Sequence, residues 1–139
     1  MAESTGKSLR VVVVTPEKAV LDEPASFVVL PLFDGEFGVL PGHAAFVGQL
    51  GPGELRITTA AGVQKWFIDG GFAQTRSDVV NVLTPRATAI SDVTATAAAT
   101  AKATADALPS TNSVERDAKT KAVARANAMT RLAAKTGAA

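Results

Sequence analysis

Few residues in this chain are of the types that catalyse reactions. His43 is the only histidine and cysteine is absent, so neither a two-histidine metal site nor a thiolate site can form. No Gly-x-Ser-x-Gly segment is present to expose a nucleophilic serine. Gly6-Lys7-Ser8 has the letters that end a phosphate-binding loop, but that pattern needs a glycine where Met1 stands. The sequence therefore predicts a protein that is not an enzyme and has no metal or cofactor.

The densest group of polar and turn-forming residues begins at Leu30. Three glycines and two prolines occur within residues 31–42, which predicts a rigid, irregular loop system. We expect this loop to present Asp34, Glu36 and His43 outward, either as solvated side chains or as a recognition surface. Because polar loops on a stiff scaffold usually bind partners, the sequence favours recognition.

Bulk composition narrows the class of protein. The chain has 139 residues, is 47% hydrophobic and has a net charge of +1. A packed core is therefore expected, without strong attraction to nucleic acid or to a membrane. The apolar run Val11–Val14 is too short for a signal peptide or a membrane span. We expect a soluble protein that meets a membrane only through another protein.

A change of composition near residue 90 predicts two parts. The first ninety residues contain all seven aromatic residues and ten of the eleven glycines, whereas the rest contain seventeen alanines. We expect residues 1–8 to be a frayed tail and residues 9–90 to form an antiparallel β-sandwich, with a bend or tight turn at Gly70-Gly71. The predicted strands are Leu9–Thr15, Phe27–Leu32, Ala44–Leu50, Leu55–Thr59, Val63–Ile68 and Val79–Leu83. Three prolines are expected at strand ends or edges, since proline cannot donate a ladder hydrogen bond: Pro31, Pro41 and Pro52.

Residues 91–139 predict a helical hairpin, which makes the chain a two-part α+β protein. Ser91 is the expected N-cap of the first helix, and Asp92 lies in the first turn, where the helix dipole favours a negative charge. Alanine and threonine dominate Thr94–Leu108, and Pro109 ends this helix.

The second predicted helix starts at a capping box formed by Asn112 and Glu115. It is expected to run to about Lys135, with Gly137 just beyond its end. At about 100° per residue, five apolar side chains form one narrow stripe: Ala118, Ala122, Ala126, Met129 and Ala133. Six basic side chains cover the rest of the helix: Arg116, Lys119, Lys121, Arg125, Arg131 and Lys135.

Alanine limits how tightly this hairpin can pack. Burial stabilises by about 25 cal/mol per Å² of apolar surface, and alanine offers a single methyl group. We therefore expect a weakly docked, detachable hairpin. Its seven basic and four acidic groups give +3, whereas residues 1–90, with seven basic and nine acidic groups, carry −2. The basic helix is either a solvated face or a surface that awaits an acidic partner.

Ordered motifs over residues 9–90 resemble the epsilon-subunit family of bacterial F-type ATP synthases, whose mitochondrial counterpart is called delta. The main motif is Asp34-Gly35-Glu36-Phe37-Gly38-Val39-Leu40-Pro41-Gly42-His43-Ala44, followed by Leu50-Gly51-Pro52-Gly53-Glu54-Leu55. Shorter matches are Thr15-Pro16-Glu17, Asp69-Gly70-Gly71-Phe72 and Val80-Asn81-Val82-Leu83. The resemblance implies a β-sandwich with a C-terminal helical hairpin in a non-catalytic rotor subunit.

The resemblance also implies partners. Asp34, Glu36 and His43 would face the polar loops of the membrane c-ring, and Thr15, His43 and Gly48 would face the gamma subunit. Such a subunit would couple ion-driven rotation to ATP synthesis. It would lie peripherally at the cytoplasmic face of the bacterial plasma membrane, whether protons or sodium ions drive the enzyme.

For the hairpin, the resemblance implies a regulatory role. The hairpin would extend along gamma toward the alpha and beta subunits and restrain ATP hydrolysis through the six basic side chains of the second helix. Some relatives bind ATP through an Asp-x-x-Arg motif at the start of the first helix. Here Asp92 fills the acidic position, but Ala95 replaces the arginine, so weak binding or none is expected. Arg125 and Arg131 are the side chains that would compensate.

Three other interpretations stay open. A free-standing β-sandwich adaptor would form a stable monomer without affinity for gamma. A nucleic-acid binder would use the basic helix, although that helix lacks aromatic residues for stacking. An enzyme would need an acid, base and nucleophile constellation that the sequence does not supply.

Overall fold

The computed structural model describes residues 8–136, with Thr136 described by its backbone alone. Residues 1–7 of the predicted tail, and Gly137, lie outside this range. The chain divides into two compact units after Ala87. This boundary lies close to residue 90, where the change of composition predicts it. The strands are β1 (Leu9–Val14), β2 (Ala19–Ala25), β3 (Phe27–Leu32), β4 (Gly35–Val39), β5 (Phe46–Thr59), β6 (Gly62–Arg76), β7 (Val79–Leu83) and β8 (Ala87–Ala89). A 3₁₀ turn (Ile90–Asp92) precedes α1 (Ala95–Asp106) and α2 (Ser113–Thr136).

The strands form one sheet that folds over itself into two layers. Their order is β2-β1-β7-β6-β5-β3-β4, and β8 also pairs with β6. β1 runs parallel to β7, and the other pairs along this order are antiparallel. Apolar residues of both layers meet in one core, for example Val11, Leu30, Leu55, Ile68 and Val82. The predicted β-sandwich followed by a helical hairpin is confirmed.

β5 and β6 are longer than predicted. Where the sequence indicates three separate strands, the structure has one continuous hairpin that pairs Phe46 with Thr75 at one end and Thr59 with Gly62 at the other. Along β6 the buried, core-facing positions change from even to odd numbers between Ile68 and Ala73. Gly70-Gly71 is therefore a bend inside the strand, which carries β6 from one layer to the other.

Three strands, β2, β4 and β8, were not predicted, and the proline prediction is wrong for Pro52. β2 is an edge strand, and β4 forms within the segment that was expected to be an irregular loop. Pro31 stands next to Leu32, the last residue of β3, as predicted, whereas Pro52 lies inside β5, an inner strand, rather than next to an end or edge. The β3–β5 ladder is irregular between Val29 and Leu32, and this irregularity accommodates residues that cannot donate a ladder hydrogen bond.

The first helix begins later than predicted. Thr94, whose backbone is extended, is the N-cap of α1, and its hydroxyl accepts a hydrogen bond from the Ala97 amide at 3.1 Å. The predictions of Ser91 as N-cap and of Asp92 in the first turn of this helix are wrong, because both residues belong to the preceding 3₁₀ turn. α1 ends at Asp106, before Pro109.

The second helix begins at the predicted cap. Asn112 Oδ1 accepts a hydrogen bond from the Glu115 amide at 2.8 Å. The Glu115 carboxylate accepts hydrogen bonds from the amide and hydroxyl of Thr111, and the Asn112 backbone also contributes to the lowered pKa of Glu115, as a capping box requires. Of the predicted stripe, Ala126, Met129 and Ala133 are buried, Ala122 is half-buried and Ala118 is exposed. Ala128 and Leu132 are also buried, so the buried face is wider than the stripe. None of the helices described combines the length and the hydropathy that a membrane span requires.

Candidate functional site

A three-residue charge cluster holds the predicted acidic loop in place. Arg56 donates to both Glu36 carboxylate oxygens, at 2.7 and 3.2 Å, and to Glu54 Oε1 at 2.9 Å. The Arg56 side chain is 25% exposed, that of Glu54 3% and that of Glu36 59%. The hydrogen bond to Glu36, followed by that to Glu54, raises the pKa of Arg56 above its ordinary value. Glu36 is therefore fixed in one orientation by a bidentate, charge-assisted contact.

Sequence reasoning identified Glu36 but missed Arg56 and Glu54. Arg56 and Glu54 are two residues apart on β5, so they share one face of the strand, a pattern that the sequence carries. Glu36 and Arg56 are twenty residues apart and meet because β4 and β5 flank β3. That proximity depends on strand order, which the local pattern does not specify.

Asp34 occupies the tip of the turn between β3 and β4. β3 ends at Leu32 and β4 starts at Gly35, so Phe33 and Asp34 form the connection. Both side chains are exposed, and Asp34 makes no ion pair with another described residue. The turn therefore offers a solvated carboxylate next to an apolar ring.

His43 is anchored in a small aromatic cluster. Its ring centroid lies 5.3 Å from that of Phe37 and 5.6 Å from that of Phe46. The Ala44 carbonyl is 2.7 Å from Nδ1, so Nδ1 carries the proton and Nε2 is the nitrogen left for a partner. The Gly42 amide donates to Asp78 Oδ1 at 2.8 Å. These contacts hold the loop that contains His43 beside the β4 strand that carries Glu36, and its rigidity stays a prediction.

Thr15 and Gly48 offer little side-chain surface. Thr15 is 9% exposed, and its hydroxyl and amide both donate to the Lys18 carbonyl, at 3.1 and 2.9 Å, which closes the β1–β2 turn. A Cβ on Gly48 would point at Leu32 and Phe46, which pack against the core. In the structure, Thr15 closes a turn and Gly48 leaves room for two packed side chains. The contact of both residues with a partner stays a prediction.

The basic side chains of α2 differ in exposure. Arg116, Lys121, Arg131 and Lys135 are exposed, and Lys119 and Arg125 are half-buried. Lys119 Nζ donates to the Asp106 carbonyl at 3.1 Å, near the C-terminus of α1, where a cation is favoured. Asp92, which fills the acidic position of the nucleotide motif that the sequence disfavours, is exposed in the 3₁₀ turn before α1.

The sequence of this chain is similar to known proteins over most of its length. Residues 8–90 match the family described as ATP synthase, Delta/Epsilon chain, beta-sandwich domain. The ATP synthase epsilon chain of Rhodopirellula baltica is 47% identical over 124 residues, which cover 89% of this chain and 97% of that relative. The ATP synthase epsilon chain of Nitratidesulfovibrio vulgaris is 40% identical over 87 residues, which cover 63% of this chain and 65% of that relative.

The fold is also similar to solved structures. A chain in the cryo-EM structure of the Euglena gracilis mitochondrial ATP synthase, comprising OSCP, F1 and c-ring, aligns with a TM-score of 0.77 at 25% identity. The alignment covers 93% of this chain and 83% of that chain.

Proposed function

This chain belongs to the ATP synthase delta/epsilon family, and we propose that it is the non-catalytic epsilon subunit of the central stalk. The observation that carries the proposal is the likeness to the Rhodopirellula baltica epsilon chain, which includes 97% of that relative and therefore both the sandwich and the hairpin region. In this role the chain couples ion-driven rotation of the c-ring to ATP synthesis through gamma. It lies peripherally at the cytoplasmic face of the membrane.

The proposed c-ring contact comprises Asp34, Glu36 and His43. Asp34 supports it as an exposed carboxylate at a turn tip, and Glu36 as a carboxylate oriented by Arg56. His43 supports it through Nε2 on an anchored ring. A rigid contact suits a rotor because torque passes through it without the loop yielding.

The family resemblance implies three residues for the gamma contact, and we include them in the proposal: Thr15, His43 and Gly48. Thr15 and Gly48 would shape the backbone of this contact, since neither extends a side chain to solvent. His43 would contribute at the border of the gamma and ring contacts.

The hairpin has the proposed regulatory role. Exposed basic side chains of α2, such as Arg116, Lys121 and Arg131, would meet acidic segments of the alpha and beta subunits and restrain hydrolysis. ATP binding is proposed to be weak or absent, because Ala95 opens α1 where a phosphate-binding arginine would stand. A submillimolar dissociation constant in calorimetry would contradict this.

The proposed function is tested by complex formation. The full chain is mixed with the gamma subunit of the same organism, then with the c-ring, and analysed by size-exclusion chromatography. A stoichiometric complex with gamma that also captures the c-ring is expected. If a gamma subunit that assembles with its own alpha and beta subunits leaves the chain monomeric, the adaptor interpretation replaces the rotor assignment.

A further inference from the structure

The dipeptide Asp-Gly occurs twice in this chain, at Asp34-Gly35 and at Asp69-Gly70. In such a dipeptide the glycine amide nitrogen can attack the side-chain carboxyl carbon of the aspartate, because glycine has no side chain to block the approach. Both reacting groups belong to one short segment, so the reaction needs only a backbone conformation that brings them together. The two dipeptides have the same letters but very different settings in the fold.

Asp34-Gly35 lies in an open turn at the edge of the sheet. Asp34 is exposed and forms the β3–β4 connection together with Phe33, which is 75% exposed. Gly35 has a φ of +141°, and no described atom beyond its chain neighbours lies within 4 Å of a Cβ added there. Gly35 is paired with Leu32 at the end of its ladder, and β4 is an edge strand. Ladder ends at a sheet edge open at little cost, so this turn can reach the reactive conformation.

Asp69-Gly70 lies inside the sheet, on the inner strand β6. Asp69 is paired with Pro52 on β5, and its amide donates to the Arg86 carbonyl at 3.2 Å. The Asp69 side chain is 12% exposed, and its Oδ2 lies 3.8 Å from Arg86 Nε. A Cβ on Gly70 would approach the Leu50 carbonyl oxygen to 3.3 Å. The sheet must therefore open before this dipeptide can rotate and react.

We propose that Asp34 is a site of spontaneous isoaspartate formation in the unassembled chain and that the fold protects Asp69 from the same reaction. The Gly35 nitrogen forms a bond to the side-chain carboxyl carbon of Asp34, and the carboxyl hydroxyl leaves with the amide proton as water. The product is a five-membered succinimide. Water then breaks the bond between this nitrogen and the main-chain carbonyl carbon, which becomes a free carboxylate. One water is lost and one is regained, so composition and charge are unchanged.

This reaction would alter the turn that carries the proposed ring contact. Isoaspartate adds one carbon to the main chain between Phe33 and Gly35 and moves the carboxylate onto Cα. A two-residue turn fixes the register of its hairpin, so a longer connection displaces the pair of Leu32 with Gly35. An isomerised chain should therefore bind the c-ring less well. This consequence rests on the proposed function, whereas the modification itself does not.

The experiment compares both dipeptides within one chain. The full-length protein is incubated at neutral pH, and isoaspartate is measured in each peptide by electron-transfer mass spectrometry after digestion. Enzymatic methylation of the isoaspartyl carboxylate is the second readout. A parallel sample in urea exposes both dipeptides equally. Asp34→Glu is the control variant, because it keeps the carboxylate in the exposed turn but would have to close a larger ring.

We expect isoaspartate to accumulate at least about tenfold faster at Asp34 than at Asp69 in the folded chain, because β6 must open before Asp69 can react, and at similar rates in urea. Asp34→Glu should lose the signal at position 34. Equal rates at the two sites in the folded chain would overturn the inference. An Asp34 that reacts only in urea would also overturn it, since the folded turn would then be protected.

A second measurement tests the consequence for assembly. The incubated chain is mixed with gamma and the c-ring of the same organism, and isoaspartate is measured in the bound and free fractions. Isoaspartate at position 34 should be enriched in the free fraction. Equal amounts in the two fractions would show that the altered turn does not disturb the ring contact. A fresh chain that captures no c-ring would instead remove the proposed function and leave the modification site in place.

Discussion

At the scale of single residues, Arg56 organises the candidate site. It links a strongly buried carboxylate, Glu54, to an exposed one, Glu36, so its removal would leave Glu54 without this cation inside the protein. The desolvated charge of Glu54 makes this contact costlier to lose than an exposed ion pair.

Arg56→Gln should therefore destabilise the chain by about 3 kcal/mol, the low end for removing one partner of a buried pair. Urea denaturation followed by tryptophan fluorescence measures the change. Arg10→Gln is the control, because it breaks the ion pair with Asp22 in which both side chains are exposed, and it should change stability far less. Equal losses in the two variants would show that the cluster adds no more than a surface ion pair.

The position of Gly71 requires a glycine, because neither the backbone conformation nor the space there suits a side chain. Its φ is +113°, and a Cβ there would overlap the Leu83 carbonyl oxygen. Gly71→Ala should cost at least about 2 kcal/mol from backbone strain, with the overlap adding to it.

Gly62→Ala separates these two causes. Gly62 also has a positive φ, +131°, but no atom lies within 4 Å of its added Cβ. The denaturation midpoint of Gly62→Ala should therefore fall less than the midpoint of Gly71→Ala. A midpoint for Gly71→Ala that matches that of Gly62→Ala would mean that β6 and β7 separate easily at the bend.

At the scale of elements, the start of α2 should respond to acid. Hydrogen bonds from the Thr111 hydroxyl and amide lower the pKa of Glu115 below its ordinary value of 4.5. A carboxylate with a lowered folded-state pKa stabilises the fold above its unfolded-state pKa, and that stability is lost as pH falls through the folded-state value. The N-terminal turn of α2 should therefore loosen below about pH 4.5.

The measurement for this prediction is amide hydrogen exchange of residues 113–118 between pH 3 and 6, corrected for intrinsic exchange rates. Native protection should fall at the acid end of this range, because protonated Glu115 accepts hydrogen bonds less well. Glu115→Gln has no titrating group at position 115 and should lose most of this acid response. An acid response of the same size in Glu115→Gln would assign the loosening to other carboxylates.

At the scale of the whole molecule, the two compact units have separable predicted roles. The sandwich carries the proposed ring and gamma contacts, and residues 91–139 carry the proposed restraint on hydrolysis. A variant that ends at residue 90 should still bind gamma and should raise ATP hydrolysis by the assembled enzyme severalfold. Circular dichroism checks that the truncated sandwich is folded. Hydrolysis unchanged at every ATP concentration, with the truncated chain bound, would remove the inhibitory role.

Local patterns in the sequence determined much of this protein. Val, Ile and Phe runs between turn residues give β3 and β7 their observed bounds, Phe27–Leu32 and Val79–Leu83. Alanine-rich segments with Pro109 between them give two helices, and Asn112 caps the second. These features depend on neighbours close in the chain, so local propensity and capping chemistry are sufficient to predict them.

Only the tertiary structure decided how distant segments meet. Ser91 and Thr94 both have capping side chains, and the backbone conformation selected Thr94. The continuity of β5 and β6 through their glycines depends on cross-strand pairing, which overrides the turn signals in the sequence. The Glu36–Arg56 contact depends on strand order and register, because residues twenty positions apart become neighbours only after the sheet has formed.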